Sequence, residues 1–524
     1  MLENPTPVMA ESATEIPAQA THGSSHHQSS DLDGRLRHVL VNPITDDQTI
    51  DPHNELSSVL GLAGLDANSA GGSIEFVGRD PIVSSPLALA TMSSVSLMAK
   101  AVSAADIWRF RGGKGQDLKV DLGQALHRLC PFYDKKWELL NGFPPAHPAD
   151  PGMPFWPNRM YPTRDGRWIQ LHNYYPRLRT AALAFLGCHD SVSAISAVTR
   201  KWDSFELEEA ANRAGLQATV VRNTAEFLEL EQYTYLKNEP LFSIDKIGDS
   251  APERFTDNPT APLSGARALG LGHVIAGAGI GRALAAHGAD VLNIWRPCEY
   301  ELDMLYLSSN VGMRSSLIEY GGPDGLEKLK ALAADADVFF ANRRPGYLDN
   351  FGLSAEELAE RRPGMIHVEV SVYGAKGPWA NRIGFDQTAG GATGFFVHEG
   401  SMSSPKLPEI FVVNDYVTSW ISSVAVMAAL KRRAIEGGSY RIRVSLTRLA
   451  LWGIQMGIFD KGYARAVAKT PGLHEYRSPE TFQVDTPLGH YQGVTDQVSM
   501  SGTPEFYNTP LVARGSSRAE WLAR

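Results

Sequence analysis

The chain has 524 residues, of which 43% are apolar and 20% charged, and this composition excludes a wholly disordered or coiled-coil protein. The formal charge of −9 argues against a nucleic-acid binder, because such proteins normally carry a basic excess. No apolar run reaches the about 18 residues of a membrane span and no secretory signal is evident, so we expect no membrane association. Three dispersed cysteines without a CxxC pair suit a reducing compartment, and we expect a cytoplasmic protein without a metal site.

Composition divides the chain into five segments. Residues 1–50 are rich in Ser, Thr, Pro and His and have no sustained apolar period, so we predict a disordered tail. Long Ala-, Val- and Leu-rich runs fill 85–245 and 263–465, and these are the predicted ordered segments. Between them, residues 249–262 have the Pro and polar content of a linker, and residues 466–524 return to loop-like composition.

An internal repeat relates the two ordered segments. Residues 101–122 align without gaps on residues 425–446, with eight identical positions. Each copy has the pattern of an Ala-rich helix with basic residues near its C-terminus, a Gly stop and a short alternating strand. We therefore predict a partial internal duplication in which both copies adopt the same helix–turn–strand shape on a large-domain sheet.

Strand and helix patterns alternate after the linker. The predicted strands lie at 267–276, 290–295, 337–341 and 365–372, and the predicted helices at 283–290, 325–336 and 354–362. Ser354 stands as N-cap of the last helix, with Glu357 at capping-box spacing. Such alternation with short loops predicts an α/β large domain with a Rossmann-like, doubly wound parallel sheet.

A glycine-rich turn follows the first of these strands. Gly277 and Gly279 fit the first two positions of the dinucleotide motif GxGxxG, but Arg282 occupies the third. The ribose-binding acid expected after the next strand is absent, since Trp295 and Arg296 stand there. Two interpretations stay open: a phosphate-preferring NADP site that uses Arg296, and a turn that needs glycine only for close packing.

Many fixed spacings follow between residues 337 and 387. The motif residues are Asn342, Arg344, Pro345, Gly346, Gly352, Leu353, Pro363, Gly374, Gly377, Pro378, Gly384, Phe385 and Asp386. This pattern resembles the central signature of the family III CoA-transferases, which include formyl-CoA and carnitine CoA-transferases and the related 2-methylacyl-CoA racemases. Residues 273–277 resemble the CoA-binding loop of that family, and residues 293–297 resemble its strand-end motif.

The resemblance also implies a meaning for the repeat. Residues 85–245 are similar to the second half of one family copy, including a smaller α+β domain that opens with a strand at 161–172. Residues 263–465 are similar to the CoA-binding large domain of another copy, and residues 466–524 to the stretch that returns to that domain. Because a family dimer interlocks two chains, the fusion predicts a homodimer or an intramolecular pseudo-dimer.

The resemblance implies a carboxylate nucleophile, an aspartate that attacks the acyl-CoA thioester just after the repeat strand. Arg448 occupies that place in the second copy and Gln124 in the first. A racemase would need an acid/base pair, and its histidine position aligns with Phe385. We predict Asp386 as the replacement acid, or Arg448 as the group that holds an acceptor carboxylate and stabilises an oxyanion. Asp415, before the repeat helix, is predicted to be its N-cap.

Basic residues are predicted to hold CoA, because charge-assisted bonds from Arg suit its 3′-phosphate and diphosphate. The resemblance implies these CoA-binding residues: Ala276, Gly277, Arg296, Arg314, Arg344 and Gly374. CoA enters as a thioester substrate, so no further cofactor is expected. The predicted activity is transfer of CoA from an acyl-CoA to a small carboxylic acid. An acyl-CoA isomerase or racemase and a catalytically degenerate acyl-CoA-binding protein are the alternatives.

Overall fold

The computed structural model describes residues 32–145, 153–156 and 159–523. Its α-helices are α1 (Leu32–Val41), α2 (Pro52–Ala63), α3 (Leu89–Phe110), α4 (Leu122–Ala125), α5 (Pro176–Leu186), α6 (Val192–Thr199), α7 (Ser204–Arg213), α8 (Thr224–Leu228), α9 (Glu231–Leu236), α10 (Ala278–Ala285), α11 (Asp303–Ser309), α12 (Pro323–Ala334), α13 (Ala355–Arg361), α14 (Asp386–Thr393), α15 (Phe395–Glu399), α16 (Asn414–Glu436), α17 (Leu446–Met456) and α18 (Lys461–Val467). Its strands are β1 (Gly71–Val77), β2 (Gln116–Asp121), β3 (Leu139–Leu140), β4 (Met160–Pro162), β5 (Trp168–Gln170), β6 (Thr219–Val220), β7 (Phe242–Gly248), β8 (Arg267–Leu271), β9 (Asp290–Trp295), β10 (Arg314–Leu317), β11 (Val338–Ala341), β12 (Ile366–Ser371), β13 (Ser439–Ser445), β14 (Thr481–Thr486), β15 (Gly489–Val494) and β16 (Val498–Met500).

A seven-stranded sheet forms the large domain. Its order is β10-β9-β8-β11-β12-β13-β7, and all neighbours run parallel except β13 and β7. Counted from β8, the parallel strands follow the order 3-2-1-4-5-6 of a doubly wound sheet. The predicted α/β class is therefore confirmed, and the order reverses between β8 and β11. None of the helices in the described ranges has the length and apolar character that crossing a bilayer requires.

Local sequence signals account for most of these elements. Strand β9 has the predicted bounds, and α13 begins after Ser354, which forms the expected capping box with Glu357. The strand predicted over 267–276 ends at Leu271, and the chain turns there into a loop that leads to α10. The single strand predicted at 161–172 is instead the hairpin β4–β5, because Gly166 adopts a left-handed turn with φ 76°.

The glycine-rich turn is closely packed. A side chain at Gly281 would meet Met313 and Phe340, so glycine is needed there for the approach of α10 to the sheet. Arg282 is buried and donates a hydrogen bond to the carbonyl oxygen of Val494 at 2.7 Å. These contacts favour the packing interpretation of the turn.

The prediction of a disordered tail up to residue 50 is wrong from residue 32 onwards, while residues 1–31 lie outside the described residues. Helix α1 buries Leu32 and Leu36, which share one face at i, i+4 spacing, and it packs against α17. Ile44 then exchanges backbone hydrogen bonds of 2.8 Å with the segment after α17, through Ile458 and Asp460. Two leucines in a polar stretch were too weak a periodic signal to reveal this packing.

The two repeat copies share one local structure. In each, a long helix (α3 or α16) leads through glycines to a strand (β2 or β13), and the two helices pack against each other. Strand β2 lies between parallel β1 and antiparallel β16, as β13 lies between parallel β12 and antiparallel β7. One expectation is wrong: β2 belongs to a separate three-stranded sheet and not to the large-domain sheet.

The closing strands are exchanged between the copies. Strand β7 follows the smaller domain of the first copy but pairs with β13 of the second, and β16 follows the second copy but pairs with β2 of the first. Each repeat strand is therefore completed by the other copy, and the two copies interlock within one chain. The linker at 249–262 contains no helix or strand.

Candidate active site

A groove opens where β11, β12 and β13 end. It consists of two adjoining cavities of about 300 and 310 Å³ that share Arg343, Arg344, Pro345, Val370 and Ser371 as a common wall. We call these two cavities the edge groove. Ligands of doubly wound proteins bind outside the carboxyl ends of the strands, so this location favours a binding site.

Two exposed cations flank the edge groove without an acidic partner. The Arg344 guanidinium donates only to the Asn381 carbonyl oxygen, at 3.3 Å, and neither Arg344 nor Lys376 forms an ion pair with a described residue. By contrast, Arg443 in the same groove is bonded to Glu369 at 2.9 Å. Arg344 and Lys376 therefore offer positive charge to an anionic ligand.

The loop after β8 is locked to the loop after β11. The backbone N–H of His273 donates to Asn342 Oδ1 at 3.0 Å, and Asn342 Nδ2 donates back to the His273 carbonyl oxygen at 2.9 Å. Arg343 donates to Glu299 Oε1 at 2.7 Å and is bonded to the His273 ring. These contacts fix both walls of the groove at the point where strand order reverses.

Electrostatics at this junction follow from the same contacts. Burial, together with the charge of Arg343, lowers the pKa of His273 to about 4. Burial would raise the pKa of Glu299, but the hydrogen bond from His273 and the charges of His273 and Arg343 bring it to about 2. Glu299 is therefore ionised near neutral pH and compensates the charge of Arg343.

The predicted CoA-binding residues separate into two groups. Ala276, Arg344 and Gly374 line the edge groove, and Gly277 lies beneath it as N-cap of α10. Arg296 and Arg314 do not line it.

Both of those arginines are held elsewhere by carboxylates. Arg296 is bonded to Glu319 at 2.6 Å, and Arg314 forms a two-point pair with Asp290 at 2.9–3.0 Å. Their positions give no support to direct contact with a ligand in the groove.

Asp386 lies behind the groove wall. It is buried, and its Oδ2 accepts hydrogen bonds from the backbone N–H groups of Val413 at 3.0 Å and Asp415 at 2.8 Å. Burial raises the pKa of Asp386 to about 7, although these hydrogen bonds oppose the shift. With Asp415 it borders a mostly apolar cavity of about 30 Å³.

Asp415 is part of the groove itself. The prediction that it caps the repeat helix is wrong, because Val413 holds the N-cap position and Asp415 lies in the first turn of α16. It is buried against the loop that contains Ala276. Burial raises the pKa of Asp415, and the neighbouring charges of Asp386 and Glu301 raise it further.

Arg448 also lies outside the groove lining. It is buried in the first turn of α17, and its Nε donates to the carbonyl oxygen of Glu239 at 2.8 Å. Burial lowers the pKa of Arg448 to about 10, and the charge of Arg35 acts in the same direction. The residue in the place of the expected nucleophile therefore anchors a distant segment of the chain.

Sequence reasoning missed two residues of the groove. Arg343 is adjacent to the predicted Arg344, so the motif indicated the correct loop. The motif did not reveal which side chains of that loop face the groove. Glu239, which lines the first cavity, belongs to no motif and comes from the first copy. No sequence signal connects it with β12 or β13.

Comparison with known proteins identifies the region around the groove. A family model described as CoA-transferase family III matches residues 263–488. This region, which is less than half of the chain, is similar to that family. It includes β8–β13, Arg344 and Lys376, whereas Glu239 lies outside it.

Three relatives match parts of the chain. The acetyl-coenzyme A transferase nodX of Hypoxylon pulicicidum is 30% identical over 327 residues, which are 58% of this chain and 55% of that protein. An acyl-CoA transferase of Gibberella moniliformis is 30% identical over 55% of each chain. The alpha subunit of succinyl-CoA–L-malate CoA-transferase of Chloroflexus aurantiacus is 28% identical over 36% of this chain and 48% of its own. The chain thus spans about half the length of the curated relatives it matches.

Proposed function

We propose that the chain is a CoA-transferase that moves CoA from an acyl-CoA donor to a small carboxylic acid. The observation that carries this proposal is the edge groove, which is lined mainly by the region similar to family III and has the unpaired Arg344 and Lys376 at its rim. The phosphates of CoA are the groups that such cations bind best, since the hydrogen bonds are charge-assisted.

The groove also suggests an orientation for the thioester. The nucleotide lies at the Arg344 and Lys376 end, and the pantetheine arm runs along the shared wall towards Ser371. The thioester then lies in the first cavity, which Ser371 and Glu239 line together. The position of the nucleotide follows from charge, because phosphates favour cations.

Residue roles within this proposal are tested by variants. The prediction that Asp386 attacks the thioester leads us to expect no turnover from Asp386→Asn. The prediction that Arg448 binds the acceptor leads us to expect none from Arg448→Ala. Their locations support positioning roles for both residues. Asp386 accepts a hydrogen bond from the backbone N–H of Asp415, and Arg448 donates one to the backbone carbonyl oxygen of Glu239.

Further parts of the proposal concern the cell and the assembly. CoA is consumed and regenerated as a substrate, so the reaction needs no separate cofactor.

The exchange of β7 and β16 supports an intramolecular pseudo-dimer over a homodimer of interlocked chains. The free thiols of Cys130, Cys188 and Cys298 fit a reducing compartment and a cytoplasmic location.

The proposal is tested by thioester exchange across a panel of acyl-CoAs and free acids, followed by liquid chromatography. We expect a new acyl-CoA to accumulate with at least one donor and acceptor pair. Change of configuration at the α-carbon without exchange would favour the racemase alternative. Binding of CoA with neither reaction would favour a degenerate acyl-CoA-binding protein.

A further inference from the structure

Two carboxylates beside the sheet strands of the edge groove are neutralised by neighbouring arginines. Glu369 is bonded to Arg443 at 2.9 Å, and Glu356 is bonded to Arg441. Glu239 differs, because its carboxylate accepts no hydrogen bond from any described residue although the side chain is only partly exposed. The groove thus contains a carboxylate that is free to contact a ligand.

Strand pairing brings Glu239 to this location. Strand β7 runs antiparallel to β13, with Phe242 opposite Val444. The residues just before β7 therefore lie beside the carboxyl end of β13, where the repeat strand continues into α17. Glu239, three positions before Phe242, reaches the groove in this way from the other copy.

The carboxylate of Glu239 faces an open stretch of backbone. A Cβ built on Gly374 would lie 3.0 Å from Leu236 Cδ2, 3.5 Å from Glu239 Oε2 and 3.8 Å from Oε1, so a side chain at this position would crowd Leu236 and touch the Glu239 carboxylate. Gly374 itself adopts φ 90°, a conformation that favours glycine. The lack of a side chain at Gly374 therefore leaves this side of the Glu239 carboxylate uncovered, and both residues line the first cavity.

Arg448 links Glu239 to the position where the resemblance implies a nucleophile. Its Nε holds the Glu239 backbone at 2.8 Å, and its charge, with those of Arg443 and Lys376, acts on the Glu239 carboxylate. Burial raises the pKa of Glu239, while these three cations favour its ionised form. Arg448 thus holds Glu239, a carboxylate of the first copy, near the position where the second copy lacks the implied nucleophile.

We propose that Glu239 is the catalytic carboxylate of this site, an inference that rests on the proposed CoA-transferase function. Its Oε attacks the thioester carbon, forming an acyl–glutamyl anhydride and releasing CoA thiolate. The thiolate attacks the glutamyl carbon, which releases the donor acid and leaves a glutamyl–CoA thioester.

The second half of the reaction repeats these steps in reverse. The acceptor carboxylate attacks the glutamyl thioester, giving a new anhydride and CoA thiolate. The thiolate then attacks the acceptor acyl carbon, so that the new acyl-CoA leaves and the Glu239 carboxylate is regenerated. No proton, oxidant or reductant is consumed.

Covalent capture tests the inference on the full chain. The protein is incubated with acetyl-CoA or succinyl-CoA, treated with hydroxylamine and digested, and the peptides are analysed by mass spectrometry. We expect a hydroxamate on Glu239. Glu239→Gln should lose at least 100-fold in exchange rate while its CoA affinity changes less than twofold, and the control Glu231→Gln, at an exposed residue of α9, should match the wild type.

The possible outcomes separate this inference from the proposed function. Three outcomes would overturn the role of Glu239 alone. They are exchange by the wild type with a hydroxamate on Asp386 or Asp415, exchange by the wild type without any hydroxamate, and full exchange activity of Glu239→Gln. A wild type that binds CoA but neither exchanges nor captures the acyl group would overturn both. A Glu239→Gln chain that loses CoA binding as well would mark a structural residue and would also overturn the inference.

Discussion

Removal of the Arg344 guanidinium should weaken CoA binding in a way that depends on the nucleotide. In the structure this group has one protein contact, the 3.3 Å hydrogen bond to the Asn381 carbonyl oxygen, so little protein structure depends on it. A hydrogen bond to a charged group contributes about 1.5–3 kcal/mol, and the exposure of Arg344 favours the lower part of that range. For Arg344→Ala we expect a loss of about 1–2 kcal/mol, equivalent to a roughly 5- to 30-fold higher Kd.

Isothermal titration calorimetry with two ligands separates phosphate recognition from other effects. CoA should bind Arg344→Ala with the full loss of affinity, whereas an acyl-pantetheine without the nucleotide should bind the variant and the wild type equally well. Arg361→Ala, at an exposed arginine near the end of α13, is the matched control and should change neither affinity. The loss for CoA should also shrink at high salt, because screening weakens exposed ionic contacts. Equal losses for both ligands would refute phosphate recognition by Arg344.

Three further predictions concern stability. Lys100→Met should lower the free energy of unfolding by about 3–5 kcal/mol in urea titrations, because it removes the cation that Asp496 and Glu505 share in the core, where Asp496 keeps Arg128 as a second partner. In the wild type, the folded chain keeps the Asp386 proton up to about pH 7, whereas the ordinary pKa is 3.8. Stability should therefore fall as pH rises between those values, and the fall should be smaller in Asp386→Asn; a parallel pH profile would contradict this reasoning. Two polypeptides divided within 249–262 should each fail to fold alone but assemble when co-expressed, as judged by circular dichroism and gel filtration, because β7 and β16 complete the other copy.

Much of the large domain was predictable because its signals are local. The bounds of β9 follow from an apolar run between polar residues, and the start of α13 follows from the capping box of Ser354 and Glu357. The repeat identified the shared helix–turn–strand unit. It did not reveal that β7 and β16 are exchanged, because strand partners depend on contacts between residues far apart in the chain.

The site was predicted less completely for the same reason. Arg344 lines the groove as expected, but the similar motif residue Arg296 is bonded to Glu319, which follows in the next strand–loop unit. Asp386 was expected to reach substrate, yet backbone N–H groups of a later segment occupy its carboxylate. Glu239 could not be found from sequence, since only the pairing of β7 with β13 brings it to the groove.

Isotope exchange between an acyl-CoA and its own free acid tests the central claim most directly, because no acceptor has to be guessed. The chain is incubated with acetyl-CoA and ¹³C-labelled acetate, then with succinyl-CoA and labelled succinate, and the acyl-CoA is analysed by mass spectrometry. A CoA-transferase that binds its substrate in the edge groove should move the label into the acyl-CoA of at least one pair, and Arg344→Ala should slow that incorporation at subsaturating acyl-CoA. Tight CoA binding without label in any acyl-CoA, across these pairs and a longer-chain series, would contradict the account.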